Sequence, residues 1–393
     1  GEVSAWVLRG TGQAATMHKI PISVPRVVYV NCREPFDHPG WTKVSRTLPR
    51  DLQPFYLYEV AMSEADFLAN HGDAAKWLEY KGVQDVFHTH YTPLLRAAVQ
   101  LGCTCRVLRG MKRRSPHEGY ELHELRTDSN KEDYLALPDG AAACKHIAIY
   151  VAGDRNRGIV AVFADWQQTA SIILVRPSGP GINAEARRLM NDHPLAEQLI
   201  FSLDGVDSWN AAWARLNRLL PQIQAAAKGP LLAFAQTPHS LAELAPLLPV
   251  LQQLPTIPVP AHAGDGVWEG EKLRLGTAWQ KEGVLTALLR FEELGQWYEQ
   301  QGEIARYAGL PIGILSLRSD PTQLAADVLM QRRLLQSGHL SWLSTAPRPD
   351  LGGRLCPPSE EELTNPEIVL PGMYRTVCID MKLSRLEVNT LLQ

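Results

Sequence analysis

Little in this sequence points to an unusual class of protein. Its apolar runs are short, for example Ile172-Ile173-Leu174-Val175 and Leu231-Leu232-Ala233-Phe234-Ala235. A bilayer-crossing helix needs about 20 such residues, so a membrane span is excluded. The 6 cysteines in 393 residues (Cys32, Cys103, Cys105, Cys144, Cys356 and Cys378) are too scattered for a disulfide framework and point to a reducing compartment. A basic excess is also missing. With 39 basic and 42 acidic residues the net charge is −3, which argues against an autonomous nucleic-acid binder. There is no signal peptide, no internal repeat, no Walker A motif, no G-x-G-x-x-G after a strand and no G-x-S-x-G. Ser178-Gly179-Pro180-Gly181 is turn-forming but lacks the Lys-Ser/Thr of a phosphate loop. The chain starts at Gly1 rather than Met and stops in the apolar Leu391-Leu392-Gln393, so both ends read as cuts in a longer polypeptide.

What is present is an ordinary globular composition, 45% hydrophobic and 21% charged. At about 150 residues per domain, it has room for two or three domains. Cys103-Thr104-Cys105 and His88-Thr89-His90 have poor spacing for zinc, which usually takes paired C-x2-C units. Alternation on a strand instead makes Cys103 and Cys105 small core residues.

Residues 1–140 read as strand-rich. Val3–Leu8 and Thr16–Ile22 form a hairpin about Gly10-Thr11-Gly12, and strands follow at Pro25–Val30 and Phe55–Val60. Pro93–Leu101 is a helix opened by proline and closed by Gly102, and Cys103–Leu108 a strand. The cluster Arg106, Arg109, Lys112, Arg113 and Arg114 could meet phosphates or an acidic partner, or be a solvated strand edge and loop.

Residues 141–345 have a different texture. Three short strands, His146–Val151, Gly158–Phe163 and Ala170–Val175, form an antiparallel meander. A helix at Ser208–Lys228, a strand at Pro230–Ala235 and a proline-broken helix at Ser240–Leu254 follow. Leu273–Ala308 reads as two helices and Ala325–Gln336 as another, closed by Gly338. The fold class is thus α/β (α+β). The β-β-β-α-β-α order is that of a ribonuclease-H-like mixed sheet with helices on both faces, with another α+β fold as the alternative. Residues 346–393 contain a turn-rich linker, then a strand at Gly372–Ile379 and a helix from Ser384.

Nucleases on that fold hold two divalent ions with converging Asp and Glu. Here the first strand carries no carboxylate, and Gln236-Thr237-Pro238-His239 follows the fourth strand. Ala278-Trp279-Gln280-Lys281-Glu282 supplies one Glu near the third position. His239 has no carboxylate partner close in sequence. An active exonuclease would have to use displaced acids such as Asp154, Asp165, Glu243 and Glu282.

Four runs carry a family resemblance: Arg26–Arg33, Pro93–Cys103, Leu343–Gly353 and Tyr374–Cys378, extended by Val388–Gln393. Leu343-Ser344-Thr345-Ala346-Pro347-Arg348-Pro349-Asp350-Leu351-Gly352-Gly353 is the most specific. Together they resemble the C-terminal half of the DNA polymerase epsilon catalytic subunit family, which is similar to a second family-B polymerase without active sites. The resemblance implies a β-rich N-terminal-like domain at 1–140, a degenerate 3'-5' exonuclease-like domain at 141–345, and a linker with the start of an inactive palm-like domain at 346–393. Lys382 then stands where the palm places its magnesium-binding Asp, Glu387-Val388 replaces Tyr-Pro, and Asp380 lies two residues earlier. The same resemblance implies no catalytic, cofactor-binding or metal-binding residues in this piece. It places Mg2+ in the parent's active N-terminal half and a cysteine-bound metal module outside this chain. It also implies nuclear localisation, a scaffolding role that docks the B subunit and the replicative helicase, and at most weak contact with DNA.

Overall fold

The computed structural model describes residues 2–9, 16–49, 52–71, 76, 77, 80, 82–108, 118–127, 144–154, 157–176, 182, 184–259, 279–316 and 320–341. The N-terminal block contains β1 (Glu2–Arg9), β2 (Thr16–Ser23), β3 (Arg26–Cys32), β4 (Trp41–Lys43), β5 (Tyr56–Met62), β6 (Val83–Phe87), α1 (Pro93–Leu101), β7 (Cys105–Val107), β8 (Tyr120–Glu121) and β9 (Leu125–Thr127). The expected hairpin forms, with Glu2 opposite Ser23 and Arg9 opposite Thr16. β3 is buried along its whole length because it lies inside a sheet of order β4-β5-β3-β6. Helix α1 begins as the sequence dictates. Pro93 sits in its first turn, the Thr92 hydroxyl accepts the Leu95 N–H (3.2 Å), and Gly102 ends it at a φ of 66°.

The second block contains β10 (Lys145–Gly153), β11 (Gly158–Ala164), β12 (Thr169–Val175), α2 (Ala184–Asp192), β13 (Ile200–Val206), α3 (Trp209–Ala227), β14 (Leu231–Gln236), α4 (Leu241–Leu247), β15 (Thr256–Pro258), α5 (Trp279–Ala308), α6 (Ile312–Leu315) and α7 (Pro321–Gln336). Its strands form one mixed sheet, β13-β12-β11-β10-β14-β15. β10, β11 and β12 are the expected antiparallel meander, while β14 runs parallel to β10 and β15 to β14. Ala148, Tyr150 and Ala152 pack under α5 with Val284, Ala287 and Leu288. Ile147, Ile149 and Val151 pack against Leu216 and Leu220 of α3 and Leu244 of α4. Coverage of both faces explains why these strands read as unbroken apolar runs rather than alternating ones.

Several expectations need correction. Leu273–Ala308 reads as two helices by pattern; from Trp279 onward it is one helix of 30 residues. Val284, Ala287, Leu288, Leu294, Trp297, Ala305 and Ala308 are buried along it, and that packing outweighs the roughly 1 kcal/mol cost of each interior glycine. Helix α7 begins four residues early, capped by Asp320 accepting the Gln323 N–H (2.9 Å). The strand expected at Cys103–Leu108 shrinks to Cys105–Val107. Cys103 is half-buried and Cys105 exposed, so neither is the core residue expected. The linker and palm-like segment, 346–393, lies outside the described residues, as do Arg109, Lys112, Arg113 and Arg114.

Candidate functional site

A nuclease site on this sheet would sit where the C-terminal ends of β10 and β14 meet the start of α5. Tyr150 of β10 lies in register beside Gln236 of β14, and both are buried. Trp279 and Gln280 at the start of α5 are buried as well, and the Arg157 guanidinium lies over the Trp279 ring at 6.0 Å. Ala148, Tyr150 and Ala152 fill the α5 face of the strand where an Asp-x-Glu pair would lie. These neutral or cationic side chains do not fit a pair of divalent ions, which require several anionic oxygens.

The opposite end of β10 is equally unlike a metal site. Lys145 donates to the Ala227 carbonyl (2.5 Å) and lies over the Trp166 ring at 4.6 Å. His146 is half-buried between the rings of Phe234 and Tyr298. Burial holds its imidazole below the ordinary range, opposed by the charge of Asp165.

The four displaced acids stay apart. Asp154 accepts the Arg157 N–H (2.9 Å) in the turn before β11, whereas Asp165 follows that strand. Seven intervening strand residues set them roughly 20 Å apart. Glu243 closes a capping box with Ser240 at the start of α4, and hydrogen bonds from Ser240 hold its carboxyl below the ordinary range. Glu282 is exposed on α5. Among the described residues no group of three or more His, Cys, Asp or Glu could hold a metal ion. His239 is exposed, with its ring edge-on to Trp213 at 6.3 Å. His88 is buried while His90 is exposed, which dissolves that half-site. Arg106, the described member of the basic cluster, is exposed on β7 opposite Arg126.

The sequence gives no hint of a buried polar junction between the two blocks. Ser341, His88 and Gln331 are all buried there, with the Ser341 hydroxyl 3.1 Å from His88 Nε2 and donating to Gln331 Oε1 (3.3 Å). Arg332 donates to the carbonyls of Ala98 (2.8 Å) and Val99 (3.1 Å) in α1, and to those of Ala308 and Gly309 (3.0 Å) at the end of α5. Beside it Leu340 N–H donates to the Thr47 carbonyl (2.9 Å) and Thr47 N–H to the Gly338 carbonyl (3.0 Å). Sequence separations near 250 residues hide such a cluster from local pattern reading; the proline and glycine signals around α1 mark only one side of it.

The family described as Domain of unknown function (DUF1744) matches residues 183–393. The chain belongs to that family. Curated relatives extend the likeness over both blocks. A DNA polymerase epsilon catalytic subunit from Arabidopsis thaliana is 26% identical over 100% of this chain. Its namesakes from Dictyostelium discoideum and Aspergillus fumigatus are each 25% identical, over 95% and 96% of it. The chain spans 18%, 16% and 18% of those proteins respectively, in their C-terminal region. No helix of the described residues is long and apolar enough to cross a membrane.

Proposed function

We propose that this DUF1744 chain is a non-catalytic structural module of a replicative DNA polymerase large subunit, built on an exonuclease-like domain that has lost its metal ligands. The observation that carries this reading is the mixed sheet with Tyr150, Gln236, Trp279 and Gln280 buried where carboxylates should converge. The order of β10, β11, β12, β14 and β15, with helices on both faces, supports a ribonuclease-H-like ancestry. The likeness to polymerase epsilon catalytic subunits along the whole chain supports the setting.

In this reading residues 1–140, 141–345 and 346–393 correspond to N-terminal-like, exonuclease-like and palm-like regions. Polymerisation belongs to the absent N-terminal half of the parent. The module docks the B subunit and the replicative helicase in the nucleus. The junction centred on Arg332 fixes the angle between its first two regions, so partners meet one rigid surface.

The test is digestion of 5'-labelled single-stranded DNA by the purified chain with Mg2+ or Mn2+, alongside pull-down with the B subunit and helicase. The expected result is no metal-dependent shortening and retention of at least one partner. Shortening abolished by Asp154→Ala or Glu282→Ala would establish an exonuclease using displaced acids. Retention of DNA alone, falling steeply with salt, would establish a DNA-binding module instead.

A further inference from the structure

The junction between the two blocks gathers more positive charge than the described residues balance. Arg46 stands next to Thr47, whose backbone bonds to Gly338 and Leu340 reach the end of the second block. Arg96 is the fourth residue of α1. The charges of both act on Tyr29 and on His88, so the two guanidiniums converge on the same rings. Those rings are closely packed: His88 meets Tyr29 edge-on at 5.1 Å and stacks on Tyr91 at 4.9 Å. Neither arginine has an ion-pair partner among the described residues. Glu59 is the carboxylate whose charge acts on Arg96, and it is already bonded to the Tyr29 hydroxyl. Two cations therefore face one engaged carboxylate and a neutral imidazole.

Donors are left over as well as charge. Tyr91 Oη and Arg96 Nε are buried and meet no hydrogen-bond partner among the described residues. Tyr91 is only 3% exposed, and the Arg96 charge acts on its hydroxyl. Arg332 also bears on Tyr91, but its guanidinium is committed to four carbonyls. A buried hydroxyl without a partner is costly, and a buried charge without one is costlier still. A group that accepts hydrogen bonds and carries negative charge relieves both at once.

We infer that the junction is a binding site for a small oxyanion of the phosphate class, held by the Arg46 and Arg96 guanidiniums and the Tyr91 hydroxyl. Each guanidinium is a planar fork that matches two oxygens of such an anion, and the phenol donates from a third direction. Chloride would balance the charge but cannot use the forks. Tyr29, His88 and Tyr91 are all buried, which favours a free anion over a phosphate ester carrying a sugar and a base. The bound anion joins α1 to the segment that Thr47 bonds to the second block. It thus stiffens the junction at the start of α1, as Arg332 does at its end. The inference concerns this junction and is independent of the nuclease-loss reading.

Thermal unfolding of the full 393-residue chain tests it, with inorganic phosphate added to a phosphate-free buffer and sodium chloride holding the ionic strength constant. The expected result is a Tm that climbs with phosphate as one-site linkage requires, with a Kd of about 1 mM. AMP should give no such rise. Arg96→Met keeps an apolar stem and should abolish the response. Without phosphate its Tm should equal or exceed that of the unaltered chain, because an unbalanced charge has gone; loss of a merely structural arginine would lower it. Tyr91→Phe should weaken phosphate about tenfold and leave the phosphate-free Tm nearly unchanged. A chain indifferent to phosphate would overturn the inference and assign the balancing charge to a carboxylate outside the described residues. A response that survives Arg96→Met, an equal rise with AMP, or an Arg96→Met chain that is less stable without phosphate would overturn it as well.

Discussion

The interior of the six-stranded sheet and the junction at α7 are both buried, but they are built from different materials. Around β10 and β14 the buried residues are Ile147, Ala148, Ile149, Val151, Ala233 and Phe234, with Gln236 only at the strand end. At the junction they include His88, Gln331 and Ser341, with Arg332 threaded between helix ends. Apolar packing can fill the sheet because its backbone groups already bond to neighbouring strands. Helix ends leave carbonyls without intrahelical partners, so the place where α1 and α5 terminate against α7 needs donors. Polar burial marks where the chain's two halves are tied together, and apolar burial marks where chemistry would have to sit.

The largest expected effect lies on the sheet side. Phe234 is fully buried, with ring centroids of Tyr298 at 5.4 Å, His146 at 5.8 Å and Trp297 at 5.9 Å. Phe234→Ala should cost about 4 kcal/mol in urea unfolding, combining lost transfer energy with an uncollapsed cavity. A loss below about 1 kcal/mol would mean that this interior is not tightly packed and would erase the contrast with the junction.

That contrast also explains what can be read from the residues alone. The meander, β14, α3 and the start of α1 are local patterns, set by apolar runs, a serine or threonine cap and a proline in the right turn. β13 escapes such reading because its alternation is weak: Ser202, Asp204 and Gly205 dilute it, and its pairing partner β12 is already a complete strand by pattern. β4 and β15 are too short to show a period. The absence of carboxylates on β10 is legible because it concerns a single run of residues. The His88–Ser341 contact joins positions 253 residues apart and has no local signature.

The next effect is a dependence on pH. His88 lies against Tyr29 and Tyr91, with the charges of Arg96 and Arg46 nearby; burial first, then those two cations, lower its pKa to about 4. The unfolded chain takes up this proton near pH 6.5, whereas the folded chain refuses it until about pH 4. Between those values the unfolded state holds more protons, so folding stability should fall as pH drops from 6.5 to 4 and level off below. The contribution of this one group is about 3 kcal/mol. His88→Gln should flatten that segment of the stability–pH curve measured by urea titration. An unchanged slope would show that the imidazole is protonated in the folded state and that the junction is wetter than its geometry implies.

The smallest effect separates linkage from packing most directly. Arg332→Met keeps an apolar stem but removes the donors shared by the ends of α1 and α5. The Ala98 carbonyl would keep the Gly102 N–H, but those of Val99, Ala308 and Gly309 would lose the guanidinium, at a net cost of about 2 kcal/mol, because a half-buried site lets water replace part of what is lost. The shape of the transition is more telling than its size. If Arg332 couples the blocks, the variant should unfold calorimetrically in two resolved steps where the parent shows one, with the sheet block keeping the higher Tm. Arg332→Lys should behave almost as badly, since a point-like ammonium cannot span two helix ends as a planar guanidinium does. A single unbroken transition in both variants would assign the coupling to the backbone bonds of Thr47 with Gly338 and Leu340 instead.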